Sequence, residues 1–279
     1  MKIKEVLENG IIKLRENNIE EANLKARILL SNILKKPKEY LISHDDENID
    51  ETEFFTKIKM LIQNVPIQYI TNNQEFMRLN FYVDENVLIP QPDTEILVEE
   101  VINLAQEREN LRILDLCTGS GCIAISLAKF IKKANLTAID ISNKAIQVAK
   151  LNAEKNLVHN NIKFIETDMF KNIEQQSKFD FIVSNPPYIN TKTIDVLSKE
   201  VQQEPKIALD GGEDGLKFYR EIANNAFKYL KKDGYLCLEI GYDQKEEVIE
   251  LLMKTGEYKD IYSKKDLSEN DRIIIAKKV

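Results

Sequence analysis

Long apolar runs are missing. No stretch of the 279 residues approaches the ~18 consecutive apolar positions that a membrane-crossing helix requires. An excess of positive charge is missing too: 39 Lys and Arg stand against 46 Asp and Glu, a formal net charge of −7. Nucleic-acid binders cluster Lys and Arg against phosphates. The balance therefore argues against a general nucleic-acid partner, and the short runs Lys35-Lys36-Pro37-Lys38 and Lys231-Lys232 read as solvated faces. Cysteine is scarce. The 3 present, Cys117, Cys122 and Cys237, form no CxxC pair and have no neighbouring His. That excludes a disulfide framework, argues against a metal site, and suits small buried thiols in a reducing cytoplasm. The first 18 residues have no uncharged apolar centre: Lys2, Lys4, Glu5, Glu8, Lys13 and Arg15 interrupt them, so they read as an amphipathic helix rather than a secretory signal.

What is present is a soluble, globular composition, 43% hydrophobic and 30% charged, long enough for one or two domains. Residues 1–68 carry helical periodicity (Ile3, Val6, Leu7, Ile11, Leu14; Leu24 to Leu34; Phe54, Ile58, Leu61, Ile62), which predicts a small bundle ending at Pro66. His44, beside the acidic connection 45–50, reads as a solvated loop residue, as does His159. Residues 69–92 mix Phe76, Leu79, Phe81, Val83 and Val87 with turn formers, which predicts a β-hairpin linker closed by Pro90 and Pro92. From residue 93 to 279 short apolar strands alternate with helices. Helices are expected at 95–108, 122–131, 144–155, 215–230 and 244–254, and strands at 111–116, 136–141, 162–165, 179–184, 235–240, near 261 and at 272–275. That order implies an α/β fold with a doubly wound, mostly parallel sheet of seven strands.

Two elements carry chemistry. The first is the loop Cys117-Thr118-Gly119-Ser120-Gly121 between the first strand of this region and its helix. Its glycines admit positive φ and close approach of a ligand to the backbone, at the end of the fold where nucleotides bind. Asp140 ends the next strand, 21 residues beyond Gly119, at the distance of a ribose-holding acid. A nicotinamide dinucleotide and S-adenosylmethionine both fit this much. Asp115 disfavours a pyrophosphate and suits a cationic amino-acid moiety, and Asp168 is placed to accept from an adenine amino group.

The second element is Asn185-Pro186-Pro187-Tyr188, at the end of a strand. Prolines lack the ladder donor, so the strand must stop there in a stiff turn. The Asn185 carboxamide oxygen and the Pro186 carbonyl form two rigid acceptors for an –NH2 group, with Tyr188 as a flat face. Such a pair suits methyl transfer to a planar nitrogen, with no metal required.

Asp115 to Gly121, Asp140, Asp168 and Asn185 to Tyr188 resemble the ordered motifs of class I S-adenosylmethionine-dependent amino-methyltransferases. Pro66 to Ile70, Val87 to Glu95, Glu204-Pro205, Ala208-Leu209, Gly211-Gly212, Asp214 to Leu216 and Glu239-Ile240-Gly241 narrow the resemblance to the PrmC/HemK family over nearly the whole chain. The resemblance implies methylation of the N5 amide of the glutamine in the Gly-Gly-Gln tip of class I peptide chain release factors. It implies that Cys117 to Gly121, Asp140, Asp168, Met169 and Asn185 hold the cofactor. Asn185, Pro186, Pro187 and Tyr188 would grip the glutamine, and the helical domain and linker would meet the release factor. It also implies a cytoplasmic monomer with no nucleic-acid, membrane or metal partner. Three positions depart from the family pattern: Cys117 replaces a glycine, Gln91 an arginine, and Met169 an aromatic. A nucleic-acid amino-methyltransferase and a non-catalytic adenosyl-ligand adaptor are the alternatives, the first opposed by charge, the second by the intact Asn185 to Tyr188 turn.

Overall fold

The computed structural model describes residues 1–106, 108–174 and 176–279. The chain divides into two compact units, 1–73 with 198–203, and 74–197 with 204–279.

The smaller unit is helical: α1 (Ile3–Glu16), α2 (Ala22–Leu34), α3 (Tyr40–Ser43), α4 (Thr52–Ile62) and α5 (Ile67–Thr71). The periodic residues Val6, Leu14, Leu29, Leu30, Phe54, Ile58 and Leu61 are buried together. Pro66 does not end a helix. α4 stops at Ile62, and Pro66 sits just before the first residue of α5, where a missing N–H removes no helical bond. The distant segment 198–203 is tied in by a 2.7 Å ion pair between Glu200 and Lys25. His44 is exposed and stacks on the Tyr40 ring, with centroids 3.8 Å apart.

The larger unit opens with the hairpin β1 (Gln74–Phe76) and β2 (Leu79–Phe81), whose Phe76 and Phe81 are buried in its core. Seven strands follow: β3 (Arg112–Leu116), β4 (Asn135–Asp140), β5 (Ile162–Glu166), β6 (Phe179–Ser184), β7 (Leu230–Glu239), β8 (Tyr258–Lys265) and β9 (Asp271–Lys278). Their order across the sheet is β5-β4-β3-β6-β7-β9-β8, parallel except for β9, which runs against both neighbours. Alternate residues of each strand feed two apolar layers. Ile113, Phe181, Val183, Cys237 and Ile275 face one, with α6 (Pro92–Leu104) and α7 (Cys122–Phe130). Leu114, Leu116, Ile182, Leu236 and Ile274 face the other, with α10 (Lys217–Asn225) and α11 (Lys245–Thr255). α8 (Asn143–Lys155) links β4 to β5, and the short α9 (Lys206–Leu209) follows β6.

The expected doubly wound sheet is the observed one, with local differences. α6 ends at Leu104 rather than 108; of the expected extension, Glu107 lies outside the described residues. The helix expected over 215–230 is shorter because Gly215, at φ +75°, belongs to a turn, and β7 already begins at Leu230. The chain runs outward from β3 to β5 and returns at β6, so β3 and β6 are neighbours whose connections leave in opposite directions. Open α/β sheets bind ligands at the carboxyl ends of such a strand pair.

Gly10 lies where α1 crosses α4. A Cβ there would sit 2.6 Å from Cε1 of the wholly buried Phe54. Alanine gains about 1 kcal/mol of helix propensity, but overpacking a closed core costs about 1–3 kcal/mol. Gly10→Ala is therefore expected to lower the urea midpoint, and a raised midpoint would contradict this packing.

Candidate active site

A cavity of about 260 Å³ opens at the switch between β3 and β6. It brings together Cys117 and Gly119 after β3, Asp140 at the end of β4, Asp168 and Met169 after β5, and Asn185 and Pro187 after β6. Thr118, Ser120, Gly121, Pro186 and Tyr188 do not line it. Thr118 and Ser120 are buried behind the loop, where the Thr118 hydroxyl donates to Asp115 at 2.6 Å and the Ser120 carbonyl accepts from Asn152 at 2.9 Å. Gly121 starts α7 at φ +82°, and a Cβ there would lie 2.9 Å from Ile125. Gly119 differs. At φ +53° a Cβ would meet nothing within 4 Å, so its backbone faces open space.

Asp140 is held from behind. One carboxylate oxygen accepts from the Gly119 N–H and the other from the Ser142 N–H, each at 2.9 Å. Burial pushes its carboxyl up, and these backbone donors pull it back. Asp168 pairs with Lys171. Met169 is buried against the cavity, its sulfur 3.9 Å from the Cys117 sulfur, whereas Phe170 turns away to stack on Tyr229. Asp115, read from the sequence as suiting a cationic amino-acid moiety, does not line the cavity. It is wholly buried, its Oδ1 makes no hydrogen bond among the described residues, and burial pushes its carboxyl up to about 7.

The cavity's charges decide between the two cofactors that the glycine loop admits. Asp140, Asp168 and Glu221 line the cavity with one cation, Lys217, and Lys171 pairs with Asp168 beside it. Three carboxylates against two ammonium groups leave an excess of negative charge that disfavours a pyrophosphate and favours a sulfonium with its ammonium group. The open backbone at Gly119 and the apolar walls from Val87, Leu88, Ile139 and Phe218 leave room for an adenosyl group. The residues present therefore fit S-adenosylmethionine.

The rim is built around Asn185. Its Nδ2 donates to Thr94 Oγ1 at 3.2 Å, and the Thr94 hydroxyl donates to Glu239 Oε2 at 2.6 Å. The Tyr188 hydroxyl lies 3.5 Å from the other Glu239 oxygen, and the Tyr188 carbonyl accepts from Gln244 at 3.0 Å. A Cβ on Gly211 would come within 2.7 Å of Tyr188 Cα, and one on Gly215 within 2.4 Å of its carbonyl oxygen. These glycines let the chain close against the backbone of the Asn-Pro-Pro-Tyr turn. Thr94, Glu239, Gly211 and Gly215 stand in the motifs that carry the family resemblance, but no spacing rule ties them to Asn185. Lys217 and Glu221 on α10 have no sequence signal at all. Gln91 stays exposed and donates to the Ile89 carbonyl at 3.0 Å, while Glu95 accepts from the Met77 N–H at 2.6 Å.

Comparison with known proteins agrees with this geometry. A methyltransferase domain family matches residues 107–276, and the PrmC N-terminal domain family matches residues 5–71. The release factor glutamine methyltransferase of Clostridium acetobutylicum is 42% identical over 99% of this chain and 98% of its own length. The bifunctional methyltransferase of Rickettsia prowazekii is 40% identical over 98% of this chain, which spans 56% of that longer protein. Among solved structures, a methyltransferase from Pyrococcus furiosus superposes with a TM-score of 0.55 at 18% identity, covering 80% of this chain and 98% of that one. That likeness concerns the fold alone. Fold and site together define an S-adenosylmethionine-dependent methyltransferase. Within that class, the chain belongs to the release factor glutamine methyltransferase family.

Two consequences can be measured. Cys117 adopts φ +58°, not the negative φ that would make a side chain harmless there. Left-handed backbone costs a non-glycine residue roughly 1–2 kcal/mol, about what glycine loses in unfolded-chain entropy and packing. Cys117→Gly is expected to leave unfolding free energy within about 1 kcal/mol of wild type, and Cys117→Val to lose about 2 kcal/mol or more. Equal losses in both would contradict this.

Glu204 is buried and accepts from the Ile89 N–H at 2.9 Å, and burial pushes its carboxyl up to about 7. A raised acid destabilises the folded state as pH climbs from the ordinary carboxylate range through about 7. Glu204→Gln keeps an acceptor for Ile89. It is expected to add on the order of 1–3 kcal/mol near pH 8 and almost nothing near pH 5. A pH-independent effect would contradict the cause given.

Proposed function

We propose that this chain transfers the methyl group of S-adenosylmethionine to the side-chain amide nitrogen of the glutamine in the Gly-Gly-Gln tip of class I peptide chain release factors. The observation that carries this reading is the Asn185 rim: a carboxamide anchored through its nitrogen beside an acidic cavity, its oxygen accepting no hydrogen bond among the described residues. The full-length likeness to release factor glutamine methyltransferases supports the substrate.

When bound, S-adenosylmethionine supplies an activated methyl group on a sulfonium. The rest is work for the chain's own residues. An amide nitrogen is a poor nucleophile because its lone pair is delocalised. Two acceptors on its hydrogens, Asn185 Oδ1 and the Pro186 carbonyl, favour a pyramidal nitrogen and stabilise the positive charge that develops on it. Holding that nitrogen in line with the methyl group supplies much of the remaining acceleration. Pro187 stiffens the turn, and Tyr188 offers its ring to the planar amide. Asn185 has no basic group at neutral pH, so the proton leaves late, to water. Asp140 holds the ribose hydroxyls, Asp168 and Met169 flank the adenine, and Cys117 to Gly121 give the methionine end their backbone. Residues 1–68 and the segment 69–92 meet the release factor. The enzyme acts as a monomer in the cytoplasm, without a direct nucleic-acid partner.

The test is methyl transfer from labelled S-adenosylmethionine to unmodified release factor, beside a tip variant carrying alanine for the glutamine and a DNA or RNA oligonucleotide. Label on the wild-type factor alone is expected. Asn185→Ala is expected to lose about 100-fold in turnover with S-adenosylmethionine still bound. Label on the oligonucleotide alone, or equally on both factors, would overturn the reading.

A further inference from the structure

Asn185 has two ends, and only one suits methyl transfer to an amide. Its Oδ1 accepts hydrogen bonds and its Nδ2 donates them. A substrate –NH2 is held by the first and repelled by the second. The side chain itself does not choose, because a half-turn about its terminal bond exchanges the ends in nearly the same volume.

The choice is made from α6. Thr94, in the first turn of that helix, is 2% exposed. Its Oγ1 lies 2.6 Å from Glu239 Oε2 and 3.2 Å from Asn185 Nδ2. A hydroxyl carries one hydrogen. Glu239, as a carboxylate, has none to give, so the Thr94 hydrogen goes to it. A lone pair is left facing Asn185, and only the Nδ2 end satisfies a lone pair. Glu239 is itself fixed, at 2% exposure on the end of β7.

We infer that Thr94 and Glu239 are positioning residues that fix which end of the Asn185 carboxamide faces the reacting nitrogen. This rests on the methyl-transfer reading above and adds to it the means by which the acceptor is presented. The arrangement depends on the charge of Glu239. That carboxyl is faced by Thr94 and Asp93 from α6, Arg272 from β9, Tyr188 from the catalytic turn, Tyr219 from α10 and Cys122 from α7. Burial pushes it up to about 7, against the Thr94 hydrogen bond and the Arg272 charge. Protonated Glu239 has a hydrogen of its own to give to Thr94. The Thr94 hydrogen then turns to Asn185, which answers with its oxygen and swings Nδ2 toward the substrate. Turnover is therefore expected to fall as pH drops through about 7.

The test uses the full chain with Thr94→Val, which keeps the shape and removes the oxygen, and Thr94→Ser, which keeps the oxygen. Three quantities are read: turnover on release factor across pH, S-adenosylmethionine affinity by calorimetry, and hydrogen exchange of the Asn185 side-chain amide by NMR. Thr94→Val is expected to lower kcat about 100-fold, leave S-adenosylmethionine affinity unchanged, and abolish the acid limb of the pH profile. Thr94→Ser is expected to restore most of the activity and the limb. One Asn185 amide hydrogen is expected to exchange slowly in wild type and both to exchange fast in Thr94→Val. Wild-type kcat and pH profile in Thr94→Val would overturn the inference. If wild type labels no release factor, the methyl-transfer reading fails, and the amide exchange alone judges the positioning: two fast hydrogens in wild type overturn it.

Discussion

Proline has no amide hydrogen, and that single deficit organises the carboxyl end of the sheet where the cavity opens. β6 is buried along its whole length and pairs with β3 and β7 up to Ser184. At Pro186 and Pro187 the ladder has no donor left, so the chain must leave the sheet at the switch point. It does so as a stiff turn whose polar groups are spoken for from behind. Gln244 binds the Tyr188 carbonyl, Gly211 and Gly215 admit the neighbouring chain against the turn, and Thr94 holds Asn185. A flexible loop at the same place would spend its interaction energy on ordering itself. This turn presents acceptors already in position.

The electrostatics follow a matching logic. Asp140 and Glu239 end parallel strands and Asp115 stands one residue from the end of another, all with carboxyls pushed up by burial. Clustering acids in a poorly solvated place costs stability. A cationic ligand offsets that cost, and the excess of acid around the cavity gives the site a preference for a sulfonium over a dinucleotide. At Asp140, which lines the cavity and whose carboxyl burial pushes up, stability and ligand choice rest on the same residue.

Much of this was legible in sequence, for identifiable reasons. β3, β6 and β9 are buried on both faces, so each shows as a short continuous apolar run between helices, and the sheet could be read strand by strand. The glycine loop is local, and so is Asn185-Pro186-Pro187-Tyr188, because covalent chemistry alone forces its turn. Pro66 misled because a proline marks a helix start as readily as a stop. The overlong helix at 215–230 misled because apolar spacing continues through Gly215 and Tyr229, although the backbone does not. Thr94 and Glu239 carry no sequence signal for their contact: they are 145 residues apart and meet only because α6 packs over the ends of β7 and β6. Asp115 shows the limit of charge reasoning from sequence. Its place beside the glycine loop was correct, but a strand residue's side is set by the pleat, and this one points into the protein.

The most direct measurement is a crystal structure of this chain with S-adenosylhomocysteine and a Gly-Gly-Gln peptide. The account predicts homocysteine and adenosine in the cavity lined by Asp140 and Met169. It places the peptide's glutamine nitrogen within hydrogen-bond reach of both Asn185 Oδ1 and the Pro186 carbonyl. A glutamine seated elsewhere, or met by the Asn185 nitrogen while Thr94 points away, would contradict it.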